Sequence, residues 1–354
     1  MVNESYRKLA DHLDHLPGGF PPSKTGAHLR LLQRLFTPEE AELATFLTLD
    51  QEEPHTIADR AKLPRGKTEQ RLNQMAEKGL IYSVQKKNGT TLYQAAPWVI
   101  GIYEFQVKNL SEELIQDIED YSKTRESRQG SWTLNQLRTI PIMESVESPL
   151  KVLPYEQVEE LVNAHTRFAV APCICRTHEK KLGHGCDAPM ETCLLFGDFA
   201  DFYVRTGRGR SIDKAEVKEI LANANKANLV LNPTNSKYIS AICCCCGCCC
   251  GILNGLKHYP EPAKVVVSSF AAAFEPEACI GCGVCLTRCQ MQAVSSEEGS
   301  IALNPDRCIG CGLCVSTCPS GALKLIRKPE SGQEIPTTFQ DTWYNIAKEQ
   351  SEKL

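Results

Sequence analysis

A seven-residue pattern occurs twice in the last quarter of the chain. Cys279-Ile280-Gly281-Cys282-Gly283-Val284-Cys285 returns 29 residues later as Cys308-Ile309-Gly310-Cys311-Gly312-Leu313-Cys314. Each copy is completed by a fourth cysteine after a three-residue gap, Cys289 in the first and Cys318 in the second, with Ala293-Val294 and Ala322-Leu323 in the same register. This spacing leaves few options. Three thiolates separated by two residues each can wrap one face of an iron–sulfur cubane, and the intervening glycines let backbone N–H groups approach the sulfurs. Zinc prefers isolated tetrahedral sites and does not require two tandem four-cysteine runs.

The chain holds 19 cysteines in 354 residues, all after residue 172, so eleven remain ahead of the repeats, between Cys173 and Cys250. They are Cys173, Cys175, Cys186 and Cys193, followed by the run Cys243, Cys244, Cys245, Cys246, Cys248, Cys249 and Cys250, broken only by Gly247. Clusters this tight suit metal ligation better than disulfide geometry. Neighbouring side chains on an extended chain point to opposite sides, so the run cannot all face one metal. One or two further iron–sulfur clusters, or a cluster with zinc, are the expectation. A strand ending at Ala171 would place Cys173 and Cys175 at its tip, and one ending near Ile242 would deliver the run beside it. Arg176 would neutralise cluster charge or bind an anionic partner.

Length implies two or three domains. Hydrophobic content of 42% and charged content of 23% are ordinary for a globular chain, and a net charge of −4 argues against a protein built mainly to grip nucleic acid or an acidic membrane. Met1 to Leu16 is polar, with no apolar signal-peptide stretch, and no run is long enough to span a bilayer; with clustered rather than dispersed cysteines, this predicts a reduced, cytoplasmic protein.

The pattern predicts an α+β chain in five stretches. Residues 1–107 hold helices over 28–47, with Thr37 capping a helix that has Pro38 in its first turn, a short helix over 57–61 capped by Thr56, and a basic helix from Arg65 to Lys78 ended by Gly79. A hairpin over Leu80–Gln94 follows, turned at Asn88-Gly89. Helices followed by a hairpin resemble a winged helix-turn-helix. Residues 108–137 form an acidic helical connector. Residues 138–260 alternate strands (139–143, 168–171, 229–231) and helices (154–164, 198–204, 214–225), a small α/β cysteine-rich domain. The module spans 263–327, and 328–354 is a tail.

The C-terminal segment resembles the bacterial two-cluster ferredoxins. That resemblance implies a βαββαβ fold and two [4Fe–4S] clusters. It assigns Cys279, Cys282, Cys285 and Cys318 to one, and Cys308, Cys311, Cys314 and Cys289 to the other, the fourth cysteine of each run beginning a short helix that reaches across. Gln290 departs from the family, which carries proline after the fourth cysteine. With Leu16-Pro17-Gly18-Gly19-Phe20-Pro21, Phe36-Thr37-Pro38-Glu39-Glu40-Ala41, Cys173-Ile174-Cys175-Arg176 and the cysteine run, the whole chain resembles a group of 4Fe–4S binding proteins of anaerobes. This implies low-potential redox work in an anaerobic setting.

Other signals are weaker. Gly207-Arg208-Gly209-Arg210-Ser211 lacks a phosphate-loop pattern, which leaves Ser211 as a helix N-cap. His178 and His184 flank the central cysteines and read as solvated loop residues rather than ligands. Arg65, Lys67, Arg71, Lys78, Lys86 and Lys87 could meet DNA phosphates, but Glu69 and Glu77 lie on the same helix as the first four and the domain is nearly neutral, so protein contact or homodimerisation is the better reading of this domain. The sequence therefore points to an electron carrier or redox subunit working with an oxidoreductase or flavoprotein. The alternatives are an iron–sulfur transcription sensor and an oxidoreductase with substrate at a central cluster.

Overall fold

The computed structural model describes residues 4–125, 136–146, 150, 152–297, 299–329 and 334–352. It is a mixture of helices and sheets that gathers into two compact units: Met1–Gln136 with Asp198–Arg210 and Gln340–Leu354, and Leu137–Gly197 with Ser211–Phe339. Among the described residues no helix is long and apolar enough to cross a membrane.

The first unit is mostly helical. Thr37 caps the helix Pro38–Ala44 through a reciprocal pair: its Oγ1 accepts from the Glu40 N–H at 3.3 Å, and its own N–H donates to the Glu40 carboxylate at 2.9 Å. The next helix starts earlier than Thr56 suggests, at Pro54, because proline fits the first helical position and Glu53 already supplies the extended residue before it. Helix Arg65–Lys78 ends at the left-handed Gly79, and strands β1 (Tyr82–Gln85) and β2 (Thr91–Gln94) form the expected hairpin. Arg65 is paired with Asp59 at 2.7 Å and Lys78 with Glu40 at 2.7 Å. The acidic stretch contributes the helix Glu112–Arg125, while its remainder, 126–135, lies outside the described residues.

The second unit is built on a five-stranded sheet in the order β5-β3-β4-β7-β6, from β3 (Phe168–Pro172), β4 (Glu191–Phe196), β5 (Arg210–Ile212), β6 (Val230–Pro233) and β7 (Ala241–Cys245). β3 and β7 are runs of small and apolar residues because they lie inside the sheet. Ser211 sits within β5, and Asp213 instead caps the following helix Lys214–Lys226, accepting from the Glu216 N–H at 2.8 Å. The strand expected over Thr139–Met143 does not form. Its amides go to three different segments: Thr139 to the carbonyl of Val267, Ile140 to Leu231 and Ile142 to Cys311. The helix expected over 154–164 is broken. Pro154–Glu156 makes a single tight turn and Gln157 is extended, so the α-helix covers only Val158–Asn163. The break frees the buried Glu156 carboxylate to accept a forked pair from Arg327 at 2.8 and 3.0 Å, which ties this segment to the C-terminal module.

His165 lies under Tyr238 and Phe196, with ring centroids 4.1 and 5.0 Å away. Burial, helped by the charge of Arg167, pulls its pKa down to about 4 from the ordinary 6.5. The native protein thus holds the neutral ring, and on acidification the unfolded chain takes up the proton first. The resulting stability is complete above pH 6.5 and is lost as pH falls toward 4, about 3 kcal/mol in all. His165→Phe should flatten the pH dependence of thermal unfolding across that window; an unchanged slope would place its origin elsewhere.

The C-terminal module pairs β8 (Phe270–Phe274) with β11 (Leu323–Arg327), and β9 (Val294–Glu297) with β10 (Ser300–Leu303), all antiparallel. Its core mixes Phe270, Val294, Val315, Leu323 and Leu325 with Cys285, Cys308 and Cys314. A short helix, Val284–Arg288, precedes Cys289, so this cysteine ends a helix rather than beginning one. After the second repeat the chain makes successive turns over 313–317 instead of an α-helix. The Ser316 and Thr317 hydroxyls bond back to the Leu313 carbonyl, and Pro319 disfavours helical backbone at Cys318.

Candidate metal centres

The two repeats shape two cavities. One is lined by Cys279, Cys282, Cys285 and Cys318 among Phe274, Ile280, Val284, Ile301 and Leu323. The other is lined by Cys289, Cys308, Cys311 and Cys314 among Ala272, Met291, Val294, Leu303 and Ile309. Each cavity thus takes three thiols from one repeat and the fourth from the other. Left-handed backbone at Gly281, Gly283, Gly310 and Gly312 folds both loops inward. Amides reach the sulfurs: Ala293 N–H donates to Cys289 Sγ at 3.1 Å, Ala272 to Cys308 at 3.3 Å and Gly281 to Cys279 at 3.5 Å.

The donor chemistry fits an iron–sulfur group. Both cavities offer four soft sulfur donors, with no carboxylate or imidazole among the described lining residues, and this set selects thiophilic metal centres. Burial pushes the Cys311 thiol up to about 12 and Cys314 higher still, with the neighbouring thiols adding to it. Thiolates in such apolar walls need the positive charge of a bound metal core to stay ionised. Cys318 is different. Burial raises its pKa, but the amides of Leu323, Ser320 and Ala322 and the Ser320 hydroxyl outweigh burial and lower it overall.

The central cysteines divide into two groups. Cys193 on β4 faces Cys243 on β7 as a register pair, and Cys193 also sits opposite Ala171 of β3. The run therefore does not lie directly beside the β3 tip: β4 intervenes, and β7 extends through Cys245 rather than ending near Ile242. In the first group, neighbouring thiols together with burial push up the pKa values of Cys173, Cys175, Cys243, Cys245 and Cys250, with Cys193 beside Cys243. The second group is Cys186, Cys246, Cys248 and Cys249, whose sulfurs all lie within 4.8 Å of one another. Cys244 points to the opposite sheet face from Cys243 and Cys245, and burial pushes its pKa to about 12.

Arg176, only 1% exposed, is out of reach of an anionic partner. Its guanidinium donates to the Cys244 carbonyl at 3.2 Å, to Cys246 Sγ at 3.7 Å and to the Thr192 hydroxyl. Burial disfavours its charge, but the surrounding cysteines, Cys173 foremost, raise its pKa. Burial likewise raises the Cys246 thiol, yet the Cys249 amide and Arg176 outweigh it and bring that pKa down to about 7. Neither His178, which is buried, nor His184, which is exposed beside Glu179, joins the four-cysteine group. In the first unit, Arg208 is buried and donates to the carbonyls of Phe105 and Glu77, so the basic glycine loop is a packing element.

One functional contact escaped sequence reasoning. Gln290, directly after Cys289, accepts a hydrogen bond through Oε1 from the Gly247 N–H at 2.6 Å. A β-carbon at Gly247 would stand 2.6 Å from that oxygen and 2.7 Å from the Gln290 carbonyl, so only glycine permits the approach. The residue that breaks the cysteine run thus joins it to the second cavity. The absence of proline after Cys289 was the only visible hint.

Residues 272–325 match the family described as 4Fe-4S dicluster domain, and this segment carries all eight cysteines of the two cavities. No curated protein and no solved structure matches the chain. The match and the cysteine groups support at least one iron–sulfur cluster and point to iron–sulfur electron transfer.

Proposed function

We propose that this protein carries low-potential electrons to or from a partner oxidoreductase or flavoprotein through two [4Fe–4S] clusters. Cys279, Cys282, Cys285 and Cys318 hold the outer one, and Cys289, Cys308, Cys311 and Cys314 the inner one. The observation that carries this reading is how closely the two cavities are joined. Cys285 lines one and Cys289 the other, and the Cys289 N–H donates to the Cys285 carbonyl at 3.1 Å. Four residues of helical rise separate them, about 6 Å along the axis. Cys314 and Cys318 connect the cavities in the other direction through successive turns, the Cys318 N–H donating to the Val315 carbonyl at 3.1 Å. Bound there, each cluster supplies a one-electron couple whose potential is set by hydrogen bonds to its sulfurs and by exposure.

The two sites differ in access. Ile280 and Val284, on the wall of the outer cavity, are 68% and 40% exposed, and Cys282 is exposed with them. An exposed apolar patch beside a redox site is where a protein partner would dock. Cys308 and Cys314 of the inner cavity are buried. A mediated reductive titration of the anaerobically reconstituted full chain tests the proposal. Two low-potential one-electron couples from the module are expected, and a module that takes up no electrons would refute it.

A further inference from the structure

We infer that Cys186, Cys246, Cys248 and Cys249 form a site for a single tetrahedral metal ion, distinct in kind from the two cubane cavities. Their sulfur separations carry the inference: 3.9 Å between Cys186 and Cys246, 3.6 Å between Cys249 and Cys186, and 3.7 Å between Cys249 and Cys248. Four thiolates at the zinc–sulfur distance of about 2.3 Å from one ion define a tetrahedron with edges of about 3.8 Å. The observed separations match that edge. A cubane places each thiolate on a different iron at a separate corner, which spreads the sulfurs well beyond the 4.8 Å within which all four lie here.

The chain builds this site from a tight turn and one distant residue. Cys246, Cys248 and Cys249 come from the segment Cys246-Gly247-Cys248-Cys249 at the end of β7, and Cys186 comes from the loop before β4. Gly247 is fixed between them: its N–H donates to Gln290 at 2.6 Å, and its carbonyl accepts from the Lys257 ammonium. Four sulfur donors without oxygen or nitrogen ligands select zinc or a lone iron. Because Cys289 of the inner cavity is one residue from Gln290, the ion would fix the turn against that cavity. The site stands on its own distances and does not depend on what the module carries.

The test compares wild type with Cys248→Ser, a change at the exposed member of the set, both as full-length protein purified anaerobically. Zinc, iron and acid-labile sulfide are counted per chain. The variant should lose one metal ion and no sulfide, with the module's sulfide retained. Loss of iron together with an equal amount of sulfide would replace the single ion by a cluster, and loss of nothing would reduce the group to unmetallated thiols; either overturns the inference. Wild-type protein gives a second readout free of any folding effect. X-ray absorption at the zinc edge, or Mössbauer spectroscopy if the ion is iron, should report a mononuclear centre with four sulfur neighbours. A first shell containing nitrogen or oxygen, or no mononuclear centre by either method, would sink the proposal.

Discussion

Replacing Gly310 with alanine should destabilise the C-terminal module severely, whereas the same change at its twin Gly281 should be mild. Both glycines occupy the same place in the repeat, with φ of +73° and +67°. A left-handed alanine costs about 1–2 kcal/mol at either position. The surroundings make the difference. At Gly281 a new methyl meets nothing within 4 Å, but at Gly310 it would stand 2.1 Å from the Phe270 carbonyl oxygen and 2.6 Å from its carbon. Those are backbone atoms of β8, which cannot swing aside as a side chain can. Displacing β8 would also withdraw the Ala272 amide from Cys308, a bond of 3.3 Å. Overpacking adds to the backbone strain, for a total of about 4 kcal/mol at Gly310, a large part of the stability of a typical domain. Anaerobic thermal melts followed by cluster absorbance should show Gly281→Ala within a few degrees of wild type. Gly310→Ala should melt far lower or fail to hold its metal. Equal shifts for the two would contradict the packing argument.

The second large effect concerns which cysteines act together. Cys289 belongs to the first repeat in sequence but lines the cavity of the second, and Cys318 does the reverse. Cys289→Ala should therefore abolish or transform the same redox couple as Cys308→Ala, while Cys318→Ala should match Cys279→Ala. Each variant leaves three thiols in one cavity and four in the other, so the unaffected couple serves as an internal control. Potentiometric titration with EPR detection distinguishes the two classes. If Cys289→Ala instead grouped with Cys279→Ala, each repeat would serve its own site and the exchange of fourth cysteines would be wrong.

Much of this architecture is legible in the sequence because it is locally encoded. The cap at Thr37, the stop at Gly79 and the Asn88-Gly89 hairpin each follow from one residue's own backbone or hydrogen-bonding preference. The cysteine repeat marked out the eight thiols that the fold gathers. What escaped depends on distant partners. Residues 139–143 are short, apolar and rich in β-branched side chains like a strand, yet their amides pair with β6, with Val267 and with Cys311, and no single neighbour offers a ladder. Gln290 looks like a loose substitution until Gly247, 43 residues away, brings its N–H to it. The central run showed only that not every thiol could face one metal. Its partition needed β4 inserted between β3 and β7, with Cys193 opposite Cys243, and needed the loop that carries Cys186 to the turn.

Eight thiols are assigned here to two iron cubanes, and the iron and acid-labile sulfide content of the anaerobically purified full chain decides that assignment. At least about eight sulfides per chain are expected, with about four lost on disabling either cavity. Colourless protein that holds zinc in the module and releases no sulfide would contradict it.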